Sequence, residues 1–444
     1  MIMGDEPIFS VSGLRGIVND TLTIPVVVSY TEAFSRYMGG SLYLVGQDTR
    51  PHSLAIKMAV TSTLLSTGKE VIDLGIVPTP TLLLAVREKR SNGGIMITAS
   101  HNPMEWNALK FVNGEGLFIE SQDVENISNI LKEGAQKWCS FSDFQPLRVN
   151  NNAIRDHILK IAESPFVELE AIRKKRFTVA CDCINGAAFD ALPRLLEFLG
   201  CDVIRLNCDN SGSFVRNPEP RVEYLQDLQT LMYKHDIDVA FGTDPDGDRL
   251  IVGFKGVGII SEEYSVPLSV YHVLRKQRGD VVVNLSTSMM VEDIARWFNA
   301  SVYRAPVGEA NVVKLMREKK AIIGGEGNGG VIFPLINPCR DALTGVALIL
   351  SLMVEQNPVE IIWKIPRYYM DKRKIEWSQD LPSDKLIKEF RDFERDSSDG
   401  LYFRRRKEWV HIRKSNTEPI VRIYAESGSE EETKRLIERA VKCF

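Results

Sequence analysis

A unit of strand, helix and strand that recurs three times restricts this chain more than any other feature. Each copy opens on a short apolar strand ending in small or polar residues, at 42–48, 177–182 and 281–285. An amphipathic helix follows and stops near a Gly or Asn: 53–67 before Gly68, 187–199 before Gly200 and 289–298 before Asn299. A second strand comes next, at 70–74, 202–206 and 301–305. Apolar periodicity of about 3.6 residues between strand-like runs signals βαβ units in parallel or mixed sheets. The second half of each copy also repeats, as a helix and then a strand that empties into a loop of small residues. These segments are Gly94-Ile-Met-Ile-Thr-Ala-Ser-His-Asn-Pro103, Asp238-Val-Ala-Phe-Gly-Thr-Asp-Pro-Asp-Gly-Asp-Arg249 and Ala321-Ile-Ile-Gly-Gly-Glu-Gly-Asn-Gly-Gly330. Ligands of open α/β sheets bind beyond the carboxyl ends of the strands, so three equivalent loops are able to converge on one cleft.

The tail breaks this pattern. Strands are expected at 368–377, 400–405, 409–412 and 420–425, with helices at 383–394 and 430–441, which describes an α+β unit with a mostly antiparallel sheet. The stretch 355–365, containing Pro358, reads as a connection. A length of 444 residues exceeds one typical domain. The expected fold class is α/β: three similar α/β domains with mixed sheets at 1–148, 149–252 and 253–364, and a C-terminal α+β domain at 365–444, around a central cleft.

A formal net charge of −4 argues against nucleic acid or an anionic membrane as the main partner, so an anionic substrate must be gripped by local Arg and Lys. The seven cysteines are odd in number and contain no Cys-x-x-Cys pair, which points to free thiols in a reducing compartment. Cys181 and Cys183 alternate along an expected strand and should face opposite sides. The first ten residues carry Asp5 and Glu6 and lack the basic start and apolar core of a signal peptide. The apolar run 342–354 is too short to span a bilayer and reads as a buried helix. The cytoplasm is the expected compartment.

Asp244-Pro-Asp-Gly-Asp-Arg249 sets three carboxylates on alternate residues after a strand. Crowded oxygen ligands suit a hard divalent cation, Mg²⁺ above all when a phosphate completes its shell. An EF-hand calcium loop shares the spacing, but its sixth position is Arg249 here instead of Gly, and its twelfth is Lys255 instead of Glu. Thr98-Ala-Ser-His-Asn-Pro103 also follows a strand, with Pro103 keeping Asn102 out of helical geometry. By itself it reads as a turn with a satisfied histidine; no Gly-x-Ser-x-Gly elbow accompanies it. Beside a metal loop, however, a phosphate carried on Ser100 would complete a phosphoryl-transfer centre, with His101 adjacent and Lys110 as the nearest proton shuttle.

Gly324-Gly-Glu-Gly-Asn-Gly-Gly330 lacks the Lys-Ser/Thr of a nucleotide P-loop. It is either a structural turn or a sugar site, with Glu326 and Asn328 meeting hydroxyls. Arg413-Lys-Ser-Asn-Thr-Glu-Pro419, with Arg422 beyond, provides a guanidinium, hydroxyls, an amide and backbone N–H groups suited to a phosphate that does not react. Arg15 in Ser12-Gly-Leu-Arg-Gly16 has the same possible use.

These five loops, in this order and across almost the whole chain, resemble the α-D-phosphohexomutase superfamily. The resemblance implies four domains around a cleft and an intramolecular phosphotransferase that interconverts hexose 6-phosphate and hexose 1-phosphate through a sugar 1,6-bisphosphate. It assigns Ser100 as the phosphoserine, which also contributes to the Mg²⁺ shell of Asp244, Asp246 and Asp248. It makes Lys110 the general acid/base, with His101 beside it, and sets Arg15 and Arg249 near the transferring phosphate. Glu326 and Asn328 become sugar contacts, and Arg413, Ser415, Asn416, Thr417 and Arg422 hold the distal phosphate. Gly330 stands where many members have His, and Val307-Gly-Glu309 replaces a common Gly-His, which adds Glu309 to the substrate contacts. That combination is most similar to the archaeal-type phosphoglucosamine mutase branch. The alternatives within the family are phosphomannomutase and phosphoglucomutase; outside it are a Mg²⁺ phosphatase and a silent sugar-phosphate sensor.

Overall fold

The computed structural model describes residues 6–134, 136–377, 379–414 and 420–444. They form two compact units: the chain up to Ser265 together with Gly329–Glu355, and Val266–Asn328 together with Gln356–Phe444.

The first unit holds a seven-stranded sheet in the order Ile8–Ser10, Gly13–Ile17, Trp106–Asn113, Gly93–Ile97, Leu42–Gln47, Glu70–Ile76, Leu147–Val149. Leu42–Gln47 lies parallel to both of its neighbours, and the sheet becomes mixed where Trp106–Asn113 pairs antiparallel to Gly93–Ile97. A second sheet repeats the scheme. Thr178–Asp182 runs parallel between Val239–Thr243 and Asp202–Leu206, and Leu250–Phe254 pairs antiparallel to Val239–Thr243. The hairpin Gly330–Phe333 and Asn337–Arg340 also belongs to this unit.

In the second unit Val281–Asn284 lies parallel between Val302–Ala305 and Ile323–Glu326, the same order a third time. The repeat in the sequence is therefore a repeat of topology, with the first strand of each copy in the middle. The tail sheet, Tyr369–Glu376, Ile420–Ser427, Glu408–Lys414, Leu401–Arg405, Glu394–Asp396, is antiparallel throughout. Its core gathers Leu386, Phe390, Phe403, Val410, Ile412, Ile423 and Leu436, all buried.

Three local expectations are corrected. The first tail helix spans Ser383–Glu389 and stops short of 394, because Phe390 turns into the core and stacks on Phe403 at 5.0 Å between centroids. Glu394–Asp396 becomes an exposed edge strand, and its charged side chains discourage further strand pairing. Pro358 starts a helix, Pro358–Lys364, instead of marking a connection: proline fits the first helical turn, and Asn357 caps it by accepting from Val359 N at 3.0 Å. Cys181 and Cys183 do not face opposite sides; both sulfurs lie with that of Cys208 within 4.8 Å of one another. The strand ends at Asp182, and the turn beyond it has positive φ at Ile184 and Asn185, so strand alternation no longer applies at Cys183.

The apolar run forms helix Ala342–Glu355, buried from Ala342 through Leu352. No single helix among the described residues is long and apolar enough to cross a membrane. Asp341 caps this helix, accepting from Leu343 N at 3.0 Å and Thr344 N at 3.2 Å. Its other oxygen meets Nε2 of His157 at 2.9 Å, and Nδ1 of His157 meets Thr81 at 2.9 Å. Burial alone would raise the Asp341 pKa, but His157 and Thr344 hold it below the usual carboxylate range.

A depressed carboxyl stabilises the fold above its unfolded pKa of about 3.9, and that contribution fades as pH falls through the folded value. Asp341→Asn should lower stability at neutral pH by about 1–3 kcal/mol, the scale of a buried group left without its hydrogen-bond partner. It should also flatten the acid limb of stability against pH, measured by urea unfolding between neutral and strongly acidic buffer. An unchanged limb would contradict this account.

Candidate active site

Ser100 sits two residues beyond the buried Thr98, where the strand Gly93–Ile97 runs out, with φ of 50°, a left-handed conformation that costs a non-glycine residue about 1–3 kcal/mol. Buried bonds impose it. Thr98 Oγ1 accepts from Ser100 N at 3.1 Å and donates to Asp48 at 2.7 Å. Asp48 pairs with Arg50, both fully buried, and Arg50 donates to the carbonyls of Ser100 at 2.9 Å and Asn102 at 2.7 Å. Neither Asp48 nor Arg50 stood out in the sequence. The signal that would have found them is the repeat itself, since Asp48 follows the central strand of copy one as Asp182 ends that of copy two.

The loop after Val239–Thr243 brings Asp244, Asp246 and Asp248 together, all buried, with one oxygen from each within 4.8 Å of the others. Gly186 permits this, because a Cβ there would stand 2.5 Å from the carbonyl oxygen of Pro245. Ser100 Oγ donates to Asp244 Oδ2 at 3.0 Å. The hydroxyl and the acidic triplet, 144 residues apart in sequence, therefore touch.

Cations surround the triplet. Lys110 Nζ, on strand Trp106–Asn113 and buried, donates to Asp246 Oδ2 at 2.6 Å, and Thr79 Oγ1 donates to the same oxygen at 2.6 Å. Arg340 donates to Asp248 Oδ2 at 2.6 Å. Arg249 donates to Nδ1 of His101 at 2.8 Å, which leaves the His101 proton on Nε2. Arg15 donates to Asn102 Oδ1 at 3.1 Å. Arg340 and Thr79 reach in from distant segments and were missed by local reading.

Electrostatics follow from this crowding. Burial and the neighbouring Asp248 and Asp246 push Asp244 well above the usual carboxylate range. For Asp246 burial acts upward, but Lys110 overcomes it and holds the group well below that range. Burial and the guanidiniums of Arg249, Arg15 and Arg340 keep His101 well below the usual imidazole range, so it is neutral at pH 7. Burial, reinforced by Arg340 and Arg249, lowers Arg15 to about 10, which leaves it charged. Cations this close to one another are arranged for an anion.

The donor set fits a divalent cation. Among the described residues, Asp246 Oδ1 and Asp248 Oδ1 are buried with no hydrogen-bond partner, and clustered carboxylate oxygens are the ligands hard cations take.

Family models for phosphoglucomutase/phosphomannomutase match the chain from end to end: α/β/α domain I at 6–138, domain II at 155–256, domain III at 263–368 and the C-terminal domain at 374–442. The chain belongs to the phosphoglucomutase/phosphomannomutase family. A Methanopyrus kandleri protein named "Probable phosphoglucosamine mutase" is 32% identical over 96% of this chain and 95% of its own. A Thermococcus kodakarensis "Phosphoglucomutase/phosphomannomutase" is 33% identical over 98% of each chain. A solved family member from Burkholderia thailandensis shares the fold, with a TM-score of 0.85 at 24% identity over 98% of this chain and 96% of that one.

In the second unit of this phosphohexomutase, Glu326 is buried and one carboxylate oxygen accepts from Asn284 Nδ2 at 2.8 Å and Gly308 N at 2.9 Å. Glu309 opens helix Glu309–Lys319, and Asn328 lies in the turn that follows strand Ile323–Glu326. Val307 N donates to Asp399 at 3.0 Å, and Asp399 also accepts from Arg413 Nε at 3.1 Å. Glu326, the 307–309 segment and Arg413 are thus one bonded chain. Arg413 faces Arg422 directly across two antiparallel strands, a like-charge pairing that Asp399 offsets on the Arg413 side. Ser415, Asn416 and Thr417 lie outside the described residues.

Mg²⁺ should raise the Tm of the wild-type chain, with about 2.7 kcal/mol of added stability at a hundredfold excess over Kd. In Asp246→Asn and Asp248→Asn that rise should largely vanish, measured by thermal scans with and without the ion. An undiminished response would place the cation elsewhere.

Proposed function

We propose that this chain is a phosphohexose mutase that carries a phosphoryl group on Ser100 and interconverts hexose 6-phosphate and hexose 1-phosphate, glucosamine phosphate foremost. The observation that carries this reading is the 3.0 Å contact of Ser100 Oγ with Asp244, inside a buried acidic triplet ringed by cations.

Asp244, Asp246 and Asp248 would hold Mg²⁺, and a phosphate on Ser100 would complete its shell. That ion supplies charge neutralisation to the transferring phosphoryl group. The chain's own residues do the rest. Arg249, Arg15 and Arg340 grip the phosphoryl oxygens, and neutral His101 orients Arg249 through its acceptor nitrogen. In the first transfer the bond from phosphorus to Ser100 Oγ breaks and one to a sugar hydroxyl oxygen forms. Lys110, aligned by Asp246, carries the proton between the sugar hydroxyl and the serine oxygen. The sugar bisphosphate then presents its other phosphate to Ser100, which restores the phosphoserine and releases the isomer. Preorganised charge and positioning supply most of the catalysis in such transfers.

Glu326, Asn328 and Glu309 are assigned to the sugar hydroxyls, and Arg413, Ser415, Asn416, Thr417 and Arg422 to the phosphate that is not reacting. The name of the Methanopyrus kandleri relative supports glucosamine phosphate, and that of the Thermococcus kodakarensis relative keeps mannose and glucose phosphate as the alternatives. On this reading kcat/KM for the glucosamine, mannose and glucose 1-phosphates should rank glucosamine first, since discrimination rests on differential transition-state contacts.

Intact mass of the purified protein should show one added phosphate, mapped by fragmentation to Ser100. Ser100→Ala should lose at least about 10³-fold in kcat, the scale of a lost covalent step, while still binding the sugar phosphate. Normal isomerisation by that variant would end the proposal.

A further inference from the structure

Three thiols outside the acidic site meet at one point. Cys181 lies one residue before the end of strand Thr178–Asp182, and Cys183 begins the turn beyond it. Cys208 lies two residues past the end of Asp202–Leu206. The two strands are parallel neighbours, with Cys181 opposite Arg205, so both segments leave the sheet at the same end. The three sulfurs lie within 4.8 Å of one another, and those of Cys181 and Cys208 are 3.9 Å apart. Cys181 and Cys183 are fully buried, whereas Cys208 is half-buried and gives the cluster a route to solvent. Cys208 Sγ also contacts the carbonyls of Leu206 at 3.2 Å and Cys181 at 3.6 Å.

The spacing selects among the chemistries open to such a cluster. A disulfide holds its sulfurs at about 2.05 Å, far inside the observed separation. Thiolates arranged tetrahedrally at about 2.3 Å from a zinc ion lie about 3.8 Å apart. The 3.9 Å between Cys181 and Cys208 is a thiol hydrogen-bond contact and also close to the separation of two thiolates on one ion. Isolated buried cysteines pack as small apolar groups, and that role does not require sulfurs from two strand ends to converge. Soft sulfur donors take Zn²⁺ or Cu(I) and discriminate against Mg²⁺, the reverse of the carboxylate triplet.

We propose that Cys181, Cys183 and Cys208 form a three-thiolate site for a thiophilic metal ion, Zn²⁺ in the first instance, with a fourth coordination position left for water or a small ligand. Binding releases the thiol protons to solvent and moves no electrons.

The test uses the full-length chain, reduced, stripped of metal and held in saturating Mg²⁺ so that the carboxylate triplet is occupied. Titration with Co²⁺ should develop a sulfur-to-metal charge-transfer absorption that saturates at one ion per chain and is abolished by Zn²⁺. Cys208→Ser, folded by circular dichroism, should weaken Co²⁺ binding by more than about tenfold. Asp246→Asn should keep the absorption, which separates this site from the acidic one. Zn²⁺ should also shield Cys208, the half-buried thiol of the three, from alkylation in the unmutated chain, read by mass spectrometry without any variant. Absence of the absorption in folded wild-type protein would overturn the proposal. So would an equal absorption in Cys208→Ser, or alkylation of Cys208 at the same rate with and without Zn²⁺.

Discussion

Three carboxylates buried within a few ångströms of one another repel, and the first unit is built around countering that repulsion. Interaction energies between buried charges are several times those in water, so each carboxylate needs a partner held in place. The partners come from separate parts of the unit: Lys110 and Thr79 from the first sheet and the helix beside it, Arg340 from the hairpin. Neutralising the triplet therefore pins the carboxyl ends of two sheets against each other, and Ser100 is carried to Asp244 as a result. Charge balance and the placement of Ser100 are one arrangement here.

A second device keeps the loops from relaxing. The polar residue at the end of each copy's central strand braces the loop of the strand beside it. Asp48 holds Arg50 against the Ser100 turn. Asp182 holds Arg216, which donates to the carbonyl of Thr243 at 2.7 Å, just before the acidic triplet. Asn284 donates to Glu326 at 2.8 Å. The φ of Ser100 is tolerable because the surrounding bonds leave its backbone little alternative.

How far sequence reading reached follows from where the information lies. The three copies were legible because strand and helix periodicities are local, and each copy runs in the expected order. Ser100 and the triplet stood out because their residues are contiguous within loops. Arg340, Thr79, Asp48 and Arg50 did not, since their partners lie on other segments and only folding joins them. Cys183 was misplaced because strand alternation was carried one residue past the end of the strand. Pro358 was misread because proline both ends and begins helices, and the capping bond of Asn357 decides between the two.

Separating brace from loop also bears on how such a chain can diversify. With the anchoring polar pair retained at each strand end, the residues between anchors are free to change identity without the sheet losing register. A framework that recurs three times can then carry different side chains at its three mouths, a serine turn at Ser100, a carboxylate triplet at Asp244, Asp246 and Asp248, and a glycine-dense turn after Glu326. Chemistry drifts while architecture holds still.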